Sequence, residues 1–155
     1  MSQLPYPPSN DVGDLREDVQ TLFEELAASL SPEARAVAGE CHPTIDVRET
    51  ERAVEVMVDV AGVPAEALRL LFRGDVLVVA GHKAPTRLTS ARTFHLVERE
   101  FGRFARAIRV SGAFDVAAAR ARLQDGELHI VLPKRQERRG QAHRIAVFTP
   151  DADRA

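Results

Sequence analysis

Apolar and polar residues alternate through the middle of the chain. In "AVEVMVDV", Val54, Val56 and Val58 fall on one side, and Glu55 and Asp59 fall on the other. A period of two is typical of a β-strand with one buried face. Comparable segments predict seven more strands, at "TIDVRE", "LRLLF", "VLVVAGH", "TFHLVE", "FARAIRV", "ARLQ" and "ELHIVLP". Turn signals separate them at Gly62, Gly74-Asp75 and Asp125-Gly126, so we predict an all-β, immunoglobulin-like antiparallel β-sandwich.

The residues before this region have a helical period instead. Asp14 and Glu17 have the spacing of a capping box, which predicts a helix that begins near Asp14. Ser31-Pro32 ends the helix and can start a short second one, which Gly39 closes. The apolar face of the first helix contains Leu15, Val19, Leu22, Phe23, Leu26 and Leu30.

This helix has two interpretations. It can be a packed part of the domain core, or it can belong to a mobile arm that carries an apolar face. The Ser-Pro break and the glycine that separate it from the strands favour the arm. We therefore divide the chain into an N-terminal arm (1–41), a sandwich domain (42–134) and a flexible, charged C-terminal extension (135–155).

An apolar pair stands alone in the polar C-terminal extension. Ile145 and Val147 are two residues apart, so on an extended segment both side chains point the same way. Such a segment can fill two adjacent pockets while its backbone pairs with an exposed sheet edge of another subunit. The alternative is a last strand of the same domain, which requires the charged linker to fold back.

Composition limits the function classes. The single cysteine excludes an internal disulfide framework, and no apolar run is long enough to span a membrane, so we expect a soluble, cytoplasmic protein. A net charge of −2 and 5% aromatic residues without tryptophan argue against nucleic-acid binding. The basic run "PKRQERR" contains Glu137 and no aromatic residue, which favours a solvated tail over a nucleic-acid patch.

No catalytic constellation is apparent. The five histidines are scattered singly, so we predict no metal site, and no glycine loop leads from a strand into a helix to cradle phosphate. Cys41 and His42 are adjacent, and adjacent residues of an extended chain point to opposite faces, so they do not make a nucleophile and base. We therefore predict no enzyme activity and no cofactor. A hydrolase that uses Cys41 is the weakest alternative.

Three stretches resemble the small heat-shock protein family and its α-crystallin domain. "ARLQDGELHIVLPK" resembles the family signature, "EREFGRFARAIRV" its Glu-Arg and Gly-x-Phe-x-Arg motifs, and "PTIDVRETERAVEVMVDVAGV" its first two strands. The resemblance covers residues 42 to 134 and the tail, where Ile145-Ala146-Val147 resembles the Ile-x-Val motif. The sequence departs from the family pattern at Ala61, at Val110-Ser111 and at Glu127.

The resemblance implies how subunits assemble. In the bacterial and plant branch, a strand in the loop before "FARAIRV" pairs with the "TIDV" strand of a second subunit, which assigns dimer contacts to Thr93, Phe94, His95, Leu96 and Val97. It also places the groove that receives the Ile-x-Val motif between "LRLLF" and "ARLQ". The candidate lining residues of that groove are Leu68, Leu70, Phe72, Ala121 and Leu123.

One charge falls on the core side of a predicted strand. Period two places Arg106 on the side of Phe104 and Ile108, where a guanidinium needs a partner. Glu98, from the Glu-Arg motif, is the candidate partner, within the chain or across the dimer. The alternative is that strand twist carries Arg106 to solvent.

The function implied by the resemblance is that of an ATP-independent holdase. Such a chaperone binds partly unfolded client proteins through the apolar arm and assembles from dimers into larger homo-oligomers. The alternative is a co-chaperone or structural module of the same fold with one defined partner, since a β-sandwich alone does not fix a function.

Overall fold

A computed structural model of the protein describes residues 9–85 and 92–135, with side chains from residue 14 onward. Two helices come first, α1 (Ser9–Ser29) and α2 (Pro32–Arg35). The strands are β1 (Ile45–Glu49), β2 (Ala53–Asp59), β3 (Leu68–Arg73), β4 (Val76–Lys83), β5 (Gly102–Arg109), β6 (Arg120–Gln124) and β7 (Glu127–Pro133). Short 3₁₀ turns at Ala65–Ala67 and Val116–Ala118 precede β3 and β6.

The strands form two antiparallel sheets, which confirms the predicted sandwich. One sheet has the order β1-β2-β7-β6 and the other the order β3-β4-β5. Seven of the eight predicted strands are present. The edge strands are therefore β1 and β6 in the larger sheet and β3 and β5 in the smaller one.

The main core lies between the two sheets. Val54, Val56 and Val58 of β2 are buried there, as their alternation predicts. Leu128, Ile130 and Leu132 of β7 extend the same layer, and Leu77, Val79, Phe104 and Ile108 face them from the smaller sheet. Apolar burial of this kind is the dominant favourable contribution to folding.

A tight turn joins β6 to β7. Asp125 and Gly126 both have positive φ, at 52° and 80°, as the two central residues of a type I′ hairpin turn require. The turn fixes the register in which Gln124 pairs with Glu127. The Asp125-Gly126 turn signal is thus confirmed.

The N-terminal helix is longer than the capping box predicts. It begins at Ser9 rather than Asp14, so the predicted start is wrong. Pro8 precedes Ser9, and nothing in Ser9–Gly13 prevents helix formation, so the helix extends through the Asp-x-x-Glu spacing. The predicted break is correct, because the Ser31 hydroxyl accepts a hydrogen bond from the Ala34 amide and Pro32 opens α2.

Residues 93–97 form no strand, which differs from the prediction for "TFHLVE". Residues 92–101 run without regular structure between β4 and β5. A strand needs a neighbour to satisfy its backbone groups, and the resemblance places that neighbour on a second subunit. None of the strands that the structure describes pairs with residues 93–97, and pairing with a second subunit stays a prediction.

Candidate client-binding and assembly surfaces

The apolar face of α1 packs against the outer face of the smaller sheet. Leu22 and Leu26 are 6% and 2% exposed and form a second buried cluster with Val78 and Ala80 of β4. Leu15, Val19 and Phe23 pack partly buried against this cluster, and Leu30 packs against the main core. All six predicted client-binding residues therefore face the domain, so the arm is docked on the sheet in this structure. Its mobility and its role in client binding stay predictions.

Polar contacts line this interface. Arg73 of β3 donates to Asp18 at 2.8 Å, and Arg69 of β3 lies 3.8 Å from the Glu25 carboxylate. The guanidinium of Arg103 on β5 lies over the Phe23 ring, 4.7 Å from its centre. Surface ion pairs of this kind each contribute about 0–1 kcal/mol, so the arm is held mainly by its leucines.

The linker after α2 is fastened to the start of β5. The Cys41 amide donates to the Arg103 carbonyl at 3.1 Å, and Glu40 and Arg103 form an isolated parallel bridge. Gly102, with φ of 113°, lies so close to the Gly39 carbonyl that a Cβ there would overlap it. Only glycine fits this approach without a shift of the linker.

A cavity of about 510 Å³ remains between the arm, the linker and the sheet. Its apolar lining comes mainly from Phe23, Leu26 and Leu30. Arg103, Glu40 and a buried histidine, His82 of β4, add polar groups. The sequence patterns do not single out His82, although it continues the outward positions of β4.

The predicted groove for the Ile-x-Val motif lies at two edge strands. Both β3 and β6 end their sheets, so each has one edge that no other described strand covers. Leu68, Phe72 and Leu123 are half-buried against the main core, which places these three predicted lining residues on one apolar cluster. Leu70 and Ala121 are exposed. The motif itself, Ile145 and Val147, lies outside the described residues.

The loop segment assigned to the dimer is strongly exposed. Phe94 and Leu96 are 68% and 73% exposed, and Val97 is similarly open. Thr93 and His95 are exposed as well. Phe101 anchors the end of this segment, because its ring lies 5.6 Å from the Lys83 ammonium and 5.0 Å from the Arg99 guanidinium. Three adjacent apolar side chains in water are typical of a surface that a partner covers.

Arg106 has a different partner from the one predicted. Its guanidinium is half-buried and donates to the Pro43 carbonyl at 2.6 Å, while Glu98 is exposed. In the single chain Arg106 therefore bonds to a backbone carbonyl, and its pair with Glu98 stays a prediction. Pro43 lies just before β1, so Arg106 links the two sheets at the β1–β5 side of the sandwich.

The remaining chemistry-bearing residues are dispersed. Burial raises the pKa of the Cys41 thiol, with Lys83 opposing and Glu100 adding to the effect, and His42 beside it is exposed. His129 lies 3.4 Å from Glu55, whose carboxylate Arg48 also holds, and hydrogen bonding from Arg48 lowers the pKa of Glu55. Within residues 9–85 and 92–135, no three His, Cys, Asp or Glu side chains could jointly hold a metal ion.

The continuous apolar run of β4 is the sequence feature that could have predicted the contact between α1 and this strand. Leu77 and Val79 face the main core, whereas Val78 and Ala80 face the arm, so the strand is buried on both sides. A run without alternation is typical of a strand covered on both faces. None of the helices that the structure describes is both long and apolar enough to cross a membrane.

Known proteins resemble this chain in sequence. The sequence profile of the Hsp20/alpha crystallin family matches residues 46–148. A 16.9 kDa class I heat shock protein of Triticum aestivum is 27% identical over 135 residues, which cover 86% of this chain and 89% of that protein. Spore protein SP21 of Stigmatella aurantiaca is 34% identical over 95 residues, covering 61% of this chain and 56% of its own.

Solved structures share the fold. Heat shock protein 16.0 from Schizosaccharomyces pombe superimposes with a TM-score of 0.59 at 26% identity, covering 70% of this chain and 99% of that one. A small heat-shock protein from Xylella fastidiosa, described as having a distinct high order structure, gives a TM-score of 0.60 at 22% identity over 72% of this chain and all of its own. The β-sandwich and these matches together show that the chain belongs to the Hsp20/alpha crystallin family of small heat-shock proteins, which are chaperones and not enzymes.

Proposed function

We propose that this chaperone is an ATP-independent holdase that binds partly unfolded proteins through the apolar face of α1. We expect it to act in the cytoplasm, where the single cysteine, which is buried, would stay reduced. Dimers would form through residues 93–97, and larger homo-oligomers through the Ile145 and Val147 motif.

The single observation that carries this proposal is the way the arm is held. Leu22 and Leu26 are buried on the domain, so the apolar face is covered at rest. The interface is confined to one amphipathic helix with a cavity of about 510 Å³ beside it. A helix that packs on the outer face of one sheet can open without unfolding of the main core, because local opening costs less than global unfolding.

Release of the arm would expose two apolar surfaces at once. The helix would present its leucines, and the sheet would present Val78, Ala80 and Leu71. Such surfaces bind non-native chains without sequence specificity, since apolar burial is not directional. Several arms on one oligomer would then bind one client with an avidity that a single arm lacks.

Assembly through exposed segments supports the same function. Phe94, Leu96 and Val97 are open in the single chain, and β1, the strand that the loop of a second subunit would join, lies at a sheet edge. Edge strands accept an additional strand through backbone hydrogen bonds. The free edges of β3 and β6 offer the equivalent site for the tail motif.

The test combines particle mass with suppression of aggregation. The mass of the purified full chain is measured by light scattering at resting and raised temperature, and scattering from heat-unfolded citrate synthase is followed without ATP. We expect a large oligomer that suppresses aggregation. A monomer that suppresses nothing, or suppression that needs ATP, would contradict the proposal.

A pair of matched variants tests the arm itself. Leu22→Ser with Leu26→Ser removes the buried apolar side chains, whereas Gln20→Ser with Glu24→Ser changes two exposed side chains that bond to each other on the same helix. We expect the first pair to lose most of the suppression and the second to keep it. Equal suppression by both would remove the arm from the client-binding surface, and binding to one partner alone would favour a co-chaperone.

A further inference from the structure

His82 lies under the arm on the outer face of β4. It follows Val78 and Ala80 at intervals of two residues, so its ring points to the side that α1 covers. The residue is only 8% exposed, and its Nδ1 is buried without a hydrogen bond of ordinary geometry. A polar ring thus borders the cavity beside Leu26, next to the buried apolar cluster of the arm and β4.

The charged groups around this ring are mostly cationic. Arg103 of β5 is the direct cross-strand neighbour of His82, and Arg35, at the end of α2, lines the same cavity. Glu40 of the linker is the one carboxylate among the residues lining the described cavity, and it lies 4.0 Å from Arg103 rather than being bonded to His82. The helix α1 contributes only Phe23, Leu26, Ala27 and Leu30 here, none of which is charged.

Protonation of His82 would therefore place a new cation in an unfavourable position. Like charges directly opposite each other on neighbouring strands are destabilising, and Arg103 already carries one. A buried charge without a bonded partner adds a further cost. Release of the arm would remove this cost, because the undocked ring is free to contact water.

We propose that His82 is a proton-operated latch, whose protonation in a mildly acidic medium releases α1 from the sheet. That the freed face then binds clients rests on the proposed function, whereas the release of the arm does not. Acidification would act on this protein directly, with no need for heat.

The direction of the pH dependence follows from the burial. Burial lowers the pKa of His82 below its ordinary value of 6.5, with the backbone of Val37 opposing this effect. The undocked ring takes up a proton more readily than the docked one. Docking of the arm is therefore at full strength above the ordinary pKa of 6.5 and weakens as the pH falls below 6.5. Each unit that separates the docked and undocked pKa values weakens docking by up to about tenfold.

Hydrogen exchange of the full chain without client tests the latch. Protection factors of the α1 and β7 amides are compared between pH 7.5 and 5.5 in the wild type, His82→Gln, His82→Leu and His42→Gln. His42→Gln is the matched control because His42 is exposed and does not line the cavity beside α1. We expect α1 protection in the wild type and in His42→Gln to fall by several-fold, with β7 unchanged, and to stay constant in both His82 variants.

Three outcomes would overturn the latch. They are constant α1 protection in the wild type, an equal fall in the His82 variants, and a parallel fall in β7, which would indicate unfolding of the whole domain. Cross-linking of a heat-unfolded client to α1 at pH 7.5 and raised temperature, where the proposed function expects the arm to open, is measured separately. Its absence would contradict client binding by the arm, while pH-dependent release of α1 would still support the latch.

Discussion

Replacement of Arg106 by alanine tests how the two sheets are joined at the β1–β5 side. The substitution removes the 2.6 Å hydrogen bond from the guanidinium to the Pro43 carbonyl. A hydrogen bond with one charged partner contributes about 1.5–3 kcal/mol, so we expect the free energy of unfolding to fall by about that amount. Loss of a buried ion pair with Glu98 would cost about 3–5 kcal/mol instead.

Chemical denaturation at equal subunit concentration measures this difference, since dimerisation contributes to apparent stability. Arg122→Ala on β6 is the control, because Arg122 is exposed and, among the residues that the structure describes, bonds to the exposed Gln124. We expect a change within about 0.5 kcal/mol. Arg103 is unsuitable as a control because it lies over Phe23. Equal, small losses for Arg106→Ala and Arg122→Ala would refute the link between the sheets. A loss above about 3 kcal/mol that is coupled to Glu98→Ala in a double-mutant cycle would instead support the pair across the dimer.

Three further predictions concern the arm, the linker and assembly. Leu26→Ala removes about three buried carbon groups, which contribute about 2–2.5 kcal/mol to docking of the arm. Hydrogen exchange of the α1 amides should therefore accelerate by about 30-fold or more, while exchange of the β7 amides is unchanged. Unaltered α1 exchange would contradict the docked arm. Gly74→Ala should destabilise the chain by roughly 1–2 kcal/mol, and Gly102→Ala by more. Both glycines have positive φ, but only at Gly102 would a Cβ overlap the Gly39 carbonyl. Equal losses of stability in thermal denaturation would show that the linker shifts to make room. Ile145→Gly with Val147→Gly should reduce larger oligomers to dimers, and a Gly/Ser replacement of residues 93–97 should give monomers; light scattering that shows unchanged masses would exclude these segments as contacts.

The sandwich could be predicted because each strand carries its own signal. Val54, Val56 and Val58 alternate with polar residues, and Asp125-Gly126 has the composition of a tight turn. These signals are local, and the structure preserves them because the buried face of β2 matches the buried face of β7. The strand predicted at residues 93–97 also has a local signal, but a strand needs a backbone partner, and no described strand pairs with this segment.

The contact between α1 and β4 and the partner of Arg106 both depend on tertiary structure, which the hydrophobic period of one strand does not reveal. Val78 and Ala80 are outward positions of β4, and only the tertiary structure shows that α1 covers them. The spacing of Arg106 correctly placed it with the core residues, but its acceptor is a backbone carbonyl, which leaves no trace in the choice of side chain at position 43. The capping box predicts a later start for α1 than the structure shows, because the residues before Asp14 also adopt helical conformation.

The close approach of Gly39 to Gly102 has a consequence for how far the arm can move. If α1 leaves the sheet while the linker stays fastened at Cys41 and Arg103, the helix becomes a lever that turns about a fixed pivot. Its 21 residues give it a length of about 30 Å, which is comparable to the diameter of a small domain. A freed arm therefore sweeps a bounded volume next to its own subunit. In the proposed oligomer, this pivot would set the local concentration of apolar helix around the particle.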